Sequence, residues 1–235
     1  MASSSGSPSS PAHRSRTALA EPAPFGWELV PATVDLPDGQ LRLSQPIDGA
    51  EIPDDGPVEW APLAPYWSII WRSGVALARE VSRAPLDGLR VVELGCGLGV
   101  PSLAAARAGA EALATDSDAE ALDLVLRNAR ANGLELETTP VEWAAPDELI
   151  ERAPFDLVLA ADVLYERPGV AALLSLLPQL APEVWIADPN RPAAEAFFEQ
   201  AGRQWWVESS ERGVITIHRL RRLDAVALRG TASAS

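Results

Sequence analysis

Leu89-Arg90-Val91-Val92-Glu93-Leu94-Gly95-Cys96-Gly97-Leu98-Gly99 decides how the rest of the chain is read. Its first six residues form a short run of mainly β-branched and aliphatic side chains, which suits a strand covered on both faces of a parallel sheet. Its last five leave almost no side chain along a turn that leads into a helical pattern over residues 100–108. Glycines in such a turn allow positive φ and let a ligand lie directly on the main chain. The free N–H groups of the helix start favour electronegative ligand groups. A flat or anionic ligand is expected on this turn.

Outward from the turn, strand and helix alternate. A helix over 100–107 stops at Gly109 as its C′ residue. A strand over 111–115 closes on Asp116, and Ser117 or Asp118 caps a helix with Ala121, Leu122, Val125, Leu126 and Ala129 on its apolar face. A third strand is expected over 136–141 with Glu142-Trp143 at its end, and a fourth over 155–161 finishing in Asp162-Val163-Leu164-Tyr165. A helix over 170–180 leads to a fifth strand over 184–187, which ends in Asp188-Pro189-Asn190-Arg191, and Pro192 sits in the first turn of a helix through Ala201. Two last runs, 204–209 and 214–220, are separated by only four residues, so the sheet is expected to finish with an antiparallel strand.

Ahead of the turn, Trp27-Glu28-Leu29-Val30 and Gln40-Leu41-Arg42-Leu43 flank Leu36-Pro37-Asp38-Gly39, a hairpin signal. Residues 47–65 are rich in Pro, Asp and Gly and read as an ordered or lid-like loop. Trp67, Ile70, Trp71, Gly74, Leu77, Ala78 and Val81 then fall at helical spacing within 66–81. The expected fold is α/β, a doubly wound, Rossmann-like, seven-stranded and mostly parallel sheet with an antiparallel C-terminal strand and an N-terminal β-hairpin extension.

The 235 residues, 47% of them hydrophobic, suffice for one such domain, expected over 25–220 with the hairpin and loop in 25–65. Residues 1–24 and 221–235 are small and polar and are expected to be disordered tails. A formal charge of −14 argues against nucleic-acid or anionic-lipid partners. All 19 basic residues are Arg, so lysine self-modification is excluded. Cys96 is the only cysteine, which rules out an internal disulfide and a paired-cysteine metal site. With no apolar signal segment and no 18-residue apolar stretch, a soluble, cytoplasmic and monomeric protein is expected.

Two ligand classes use a glycine-rich first turn on this kind of sheet. The dinucleotide fingerprint G-x-G-x-x-G needs a third glycine where this chain has Val100. A Tyr-x-x-x-Lys proton relay is also missing. Glu93-Leu94-Gly95-Cys96-Gly97 followed by Asp116 instead resembles the class I S-adenosylmethionine-dependent methyltransferases. With Trp67 and Trp71 upstream, Glu142-Trp143, and Asp162-Val163-Leu164-Tyr165, the chain is similar to the seven-strand group that holds the protein-lysine methyltransferases and the bacterial nicotinamide N-methylase-like proteins.

The resemblance implies S-adenosyl-L-methionine as cofactor. Its methionine end would meet Glu93, Gly95, Cys96 and Gly97, and its ribose would meet Asp116 beside Ser117. Trp143 would lie against adenine with Glu142 near the exocyclic amine, a position where members of the group with Asp carry a shorter acid. Trp71 would line the cofactor entrance, Ala161 would also contact the cofactor, and Asp162 and Tyr165, the catalytic pair, would face the methyl group and the acceptor. That acceptor is a protein side-chain amine of lysine type or a small-molecule amine or N-heterocycle; a non-catalytic cofactor-binding module is the reading of another class.

A sulfonium donor is already activated, so the protein's task is alignment and desolvation, with Asp162 and Tyr165 orienting a neutral amine. Each residue also has a structural reading. Glu93 and Asp116 suit caps of nearby N–H groups, Trp143, Trp67 and Trp71 suit the core, and Cys96 suits a small apolar filler. Asp188 and Arg191 suit an ion pair that holds their loop. His13 and His218 have no neighbours that suggest a metal.

Overall fold

The computed structural model describes residues 26–50, 65–165 and 167–224. Strands β1 (Leu29–Leu36) and β2 (Gly39–Pro46) pair antiparallel with Leu36 opposite Gly39, so Pro37-Asp38 is a two-residue turn. A short helix α1 (Ile47–Ala50) follows. Most of the expected 47–65 loop, and both tails apart from residues 221–224, lie outside the described residues.

The main sheet consists of β3 (Arg90–Leu94), β4 (Glu111–Asp116), β5 (Glu137–Pro140), β6 (Leu157–Ala161), β7 (Glu183–Asp188), β8 (Trp205–Arg212) and β9 (Ile215–Arg222). Its order is β5-β4-β3-β6-β7-β9-β8, parallel except where β9 runs antiparallel between β7 and β8. The chain moves outward from β3 to β5, then restarts at β6 on the other side of β3. Ligand crevices open at such a switch point, beyond the carboxyl ends of the strands. All of the sequence-predicted site residues after Glu93 lie at or beyond those ends.

Two-residue alternation sends side chains to both faces, as expected for a doubly covered sheet. Val91, Leu157, Leu159, Trp185 and Ala187 pack with helices α2 (Arg72–Val81) and α3 (Val100–Arg107) through Leu77, Val81 and Leu103. Val92, Leu94, Val158, Ala160, Val184 and Ile186 face α6 (Arg167–Leu180) and α7 (Pro192–Ala201). Leu173, Leu176, Leu177 and Leu180 of α6 are each 1% exposed, so truncating any one of them to Ala costs about 2–5 kcal/mol.

The hairpin extension is bound to α4 (Ala119–Ala131) by two amides that imitate a strand edge. Asn128 Oδ1 accepts the Ser44 N–H at 2.8 Å while its Nδ2 donates to Ser44 O at 3.2 Å; Asn132 does the same for Arg42 at 2.9 and 2.6 Å. Asn128 is fully buried, and its two bonds to Ser44 satisfy its amide oxygen and nitrogen.

Two expectations are corrected. Residues 66–81 are not one helix: a 3-10 turn covers Tyr66–Ser68, Ile69 is extended (φ −98, ψ 138), and α2 begins only at Arg72. Trp67 and Trp71 therefore do not share a helix face. A short helix α5 (Asp147–Glu151) lies between β5 and β6, where no helix was expected.

Candidate functional site

The glycine turn joins β3 to α3. Gly95, Gly97 and Gly99 have φ values of 64, 50 and 70, in the left-handed region that disfavours side chains. Its shape is tied to β4, since the Cys96 N–H donates to Thr115 O at 2.9 Å. A Cβ at Gly95 would lie 3.2 Å from Trp143 Cζ2 and 3.3 Å from Val163 Cγ1. At Gly97 it would lie 3.1 Å from Trp67 O. Trp143 from beyond β5, Val163 from beyond β6, and the strap that precedes α2 all converge on the bare backbone.

Asp116 closes β4 beside that turn. Its Oδ2 accepts the Gly97 N–H at 2.9 Å and its Oδ1 accepts the Asp118 N–H at 3.1 Å. Burial pushes its carboxyl up, and the amide N–H groups work against that shift. The cap of α4 belongs to Asp118, whose Oδ1 accepts from Glu120 N at 2.9 Å. Ser117, exposed, caps nothing.

Glu93 sits elsewhere. It is 2% exposed and lies under the first turn of α3, where its Oε2 accepts the Ser102 N–H at 2.8 Å and also meets the Ser102 hydroxyl. Desolvation pushes its carboxyl up to about 8. It supports the turn from below without reaching its open side. Cys96 is buried, with a thiol pushed well up by desolvation and by the nearby Glu93 and Asp116 carboxylates, which suits filler and not a nucleophile.

Above the turn is a small aromatic roof. Trp27 and Trp67 meet edge to face at 6.0 Å, and Trp27 Nε1 donates to Glu120 at 2.5 Å. Trp67 Nε1 is buried without a partner among the described residues. Trp71 is half-buried, donates to Tyr66 O at 3.0 Å, and packs at 6.5 Å from the Tyr66 ring. The family resemblance implies Trp71 at the cofactor entrance, and it is the main chain of Trp67 that approaches the turn at Gly97. Only the break in the helix at Ile69 reveals this.

At the end of β6, Ala161 is half-buried, and just beyond it Asp162 takes a positive φ of 59. Asp162 Oδ1 is held by Arg191 Nη2 at 2.6 Å. Tyr165 is 59% exposed and Glu142 is exposed. The expected pairing of Arg191 with Asp188 is replaced by a three-residue arrangement. Asp188, fully buried, accepts the Arg191 main-chain N–H at 2.7 Å, while the Arg191 guanidinium reaches across to Asp162. Among the described residues no cluster suited to a metal ion occurs.

The profile of the lysine methyltransferase family matches residues 67–203, more than half of the chain, from the tryptophan strap to the end of α7. The chain belongs to the lysine methyltransferase family. It is 32% identical over 187 residues to the electron transfer flavoprotein beta subunit lysine methyltransferase of Xenopus laevis, covering 75% of this chain and 73% of that one. It is 31% identical over 157 residues to a protein N-lysine methyltransferase of Danio rerio, covering 64% of this chain and 65% of the relative. The T. thermophilus 16S rRNA methyltransferase, solved with AdoMet and guanosine, shares the fold with a TM-score of 0.60 at 16% identity, over 86% of this chain and 52% of that one.

This lysine methyltransferase family member is an S-adenosylmethionine-dependent enzyme, and its crevice fits that cofactor. Added Cβ atoms would fill the cradle at Gly95 and Gly97, a carboxylate closes β4 beside it, and the Trp143 indole borders it.

Proposed function

We propose that the enzyme N-methylates a lysine-type amine of a protein, with the acceptor entering beside Asp162 and Tyr165 and the donor lying on the glycine turn. The observation that carries this reading is Val163. It sits between Asp162 and Leu164 and packs within contact of the Gly95 position, so the end of β6 and the donor turn share one wall. Asp116 would accept hydrogen bonds from the ribose hydroxyls, Gly95, Cys96 and Gly97 would carry the methionine end, and Trp143 would flank adenine with Ala161 and Ser117 at its margins. Trp71 would edge the opening, and Glu93 would hold the turn from beneath.

When bound, S-adenosylmethionine supplies a sulfonium methyl: the acceptor nitrogen lone pair forms the new C–N bond, the C–S pair returns to sulfur, and one proton leaves the nitrogen. The chain's residues orient the nitrogen and exclude water. Asp162 and Tyr165 accept or donate hydrogen bonds at the amine, and the aromatic roof keeps the turn dry. A net charge of −14 supports a basic protein segment as acceptor. We place the activity in residues 25–220 of a cytoplasmic monomer. Incubating the protein with methyl-labelled cofactor and a cell lysate tests this: label in acid-stable methyl-lysine of a protein band is expected, and label confined to small molecules selects the alternative acceptor, a free amine or N-heterocycle.

A further inference from the structure

Asp162 does not stand alone at the end of β6. Arg191 Nη2 holds its Oδ1 at 2.6 Å, and the Asp162 side chain is only 9% exposed. The guanidinium is aimed from two directions. Asp188 Oδ1 fixes the Arg191 main chain at 2.7 Å, and Thr216 Oγ1 on β9 donates at 2.9 Å to Asn190, whose φ is 62. Asp188 Oδ2 and Arg191 Nε are buried without partners among the described residues. A corner that leaves such atoms unsatisfied costs stability, which points to a role other than holding the loop.

The chemistry supplies that role. A lysine-type amine titrates near ~10.4 and must lose its proton before its lone pair can react. An unpaired carboxylate a few ångströms away favours the ammonium form and raises that value further. A carboxylate already paired with a guanidinium presents no net charge, while its second oxygen still accepts a hydrogen bond from a neutral N–H.

We propose that Arg191 is a positioning residue that neutralises Asp162, so that the acceptor amine is held uncharged in the site. This rests on the reading of Asp162 as facing the acceptor. From the end of β7, Arg191 and Asp188 face Asp162; its own loop contributes Tyr165, and β9 contributes the uncharged Thr216. Asp188, pushed up to about 6 by burial with the Asp162 charge adding to the shift, has completed its titration above pH 7.5, and Glu93, at about 8, titrates alike in wild type and in the Arg191 variants, so the comparison between them isolates the amine.

The test measures binding of n-butylamine, a lysine side-chain mimic, to the full chain saturated with S-adenosylhomocysteine, by NMR between pH 7.5 and 9.5. Wild-type affinity is expected to rise about tenfold per pH unit, following the neutral fraction below ~10.4. In Arg191→Gln that rise is expected to vanish, with tighter binding at pH 7.5, and Arg191→Lys is expected to restore it. Retained S-adenosylhomocysteine binding shows that each variant is folded. Identical pH dependence in wild type and Arg191→Gln, with Asp162→Asn weakening binding, overturns this inference alone. Probe binding that Asp162→Asn leaves unchanged, or none in any variant, overturns the acceptor reading and this inference with it.

Discussion

The two halves of the crevice are built from different materials. On the β3–β4–β5 side the wall is main chain: three glycines at positive φ, with Asp116 holding the Gly97 N–H and Glu93 bracing α3 from beneath. On the β6–β7 side it is side chains held by one another, with two non-glycine residues, Asp162 and Asn190, at positive φ and the Asp162–Arg191 pair spanning two strand ends. Backbone surfaces hold a ligand by contacts that side-chain substitution leaves in place. Side-chain surfaces can change by substitution, which suits the part of the site that meets a particular acceptor.

Asp116→Ala should break the comparison most visibly. The donor half has one carboxylate at the turn, and a charge-assisted hydrogen bond is worth about 1.5–3 kcal/mol, so cofactor affinity by titration calorimetry should fall about 10- to 100-fold. Asp116→Asn, which still accepts the Gly97 N–H, separates loss of the ribose contact from collapse of the turn. Unchanged affinity in both variants would remove Asp116 from the ribose.

Tyr165→Phe addresses the other half and should be milder. Its ring is 59% exposed, and one neutral hydrogen bond accounts for about two- to tenfold in methyl incorporation. Cofactor affinity should stay at the wild-type level. A parallel loss of affinity would show that the two halves are not separable.

How much was legible follows the same division. Arg90–Leu94 and Val100–Arg107 have the bounds that hydrophobic run and glycine punctuation predict, and Asp116 falls where the second strand ends. Those features are written in local sequence. Arg191 reaching Asp162 across 29 residues is not, because it depends on β6 and β7 being neighbours and on an aspartate adopting a left-handed backbone. The strap failed for a local reason: Trp67, Ile70 and Trp71 carry helical spacing, but the extended backbone at Ile69 puts the helix start three residues later. Spacing reports which residues could share a face, and only the backbone decides whether they do.

The smallest expected effect sharpens what Glu93 is for. Its carboxyl is pushed up to about 8 from an ordinary value of 4.5, so the folded chain holds a proton that the unfolded chain has released throughout that interval. Stability from this group therefore declines as pH climbs from about 4.5 toward 8. His218, depressed to about 4 from 6.5 by burial, works in the opposite sense, since stability rises as pH climbs through its own interval. The two overlap below pH 6.5, where Asp188, raised to about 6, adds to Glu93 and then fades, leaving most of the range from 6.5 to 8 to Glu93. There the wild-type melting temperature should fall by a few degrees, and Glu93→Gln, which keeps an acceptor for the Ser102 N–H without a titrating proton, should flatten the slope. A slope that survives Glu93→Gln would assign the proton to another group. A loss of cofactor affinity in Glu93→Gln comparable to that of Asp116→Ala would return Glu93 to the open side of the turn.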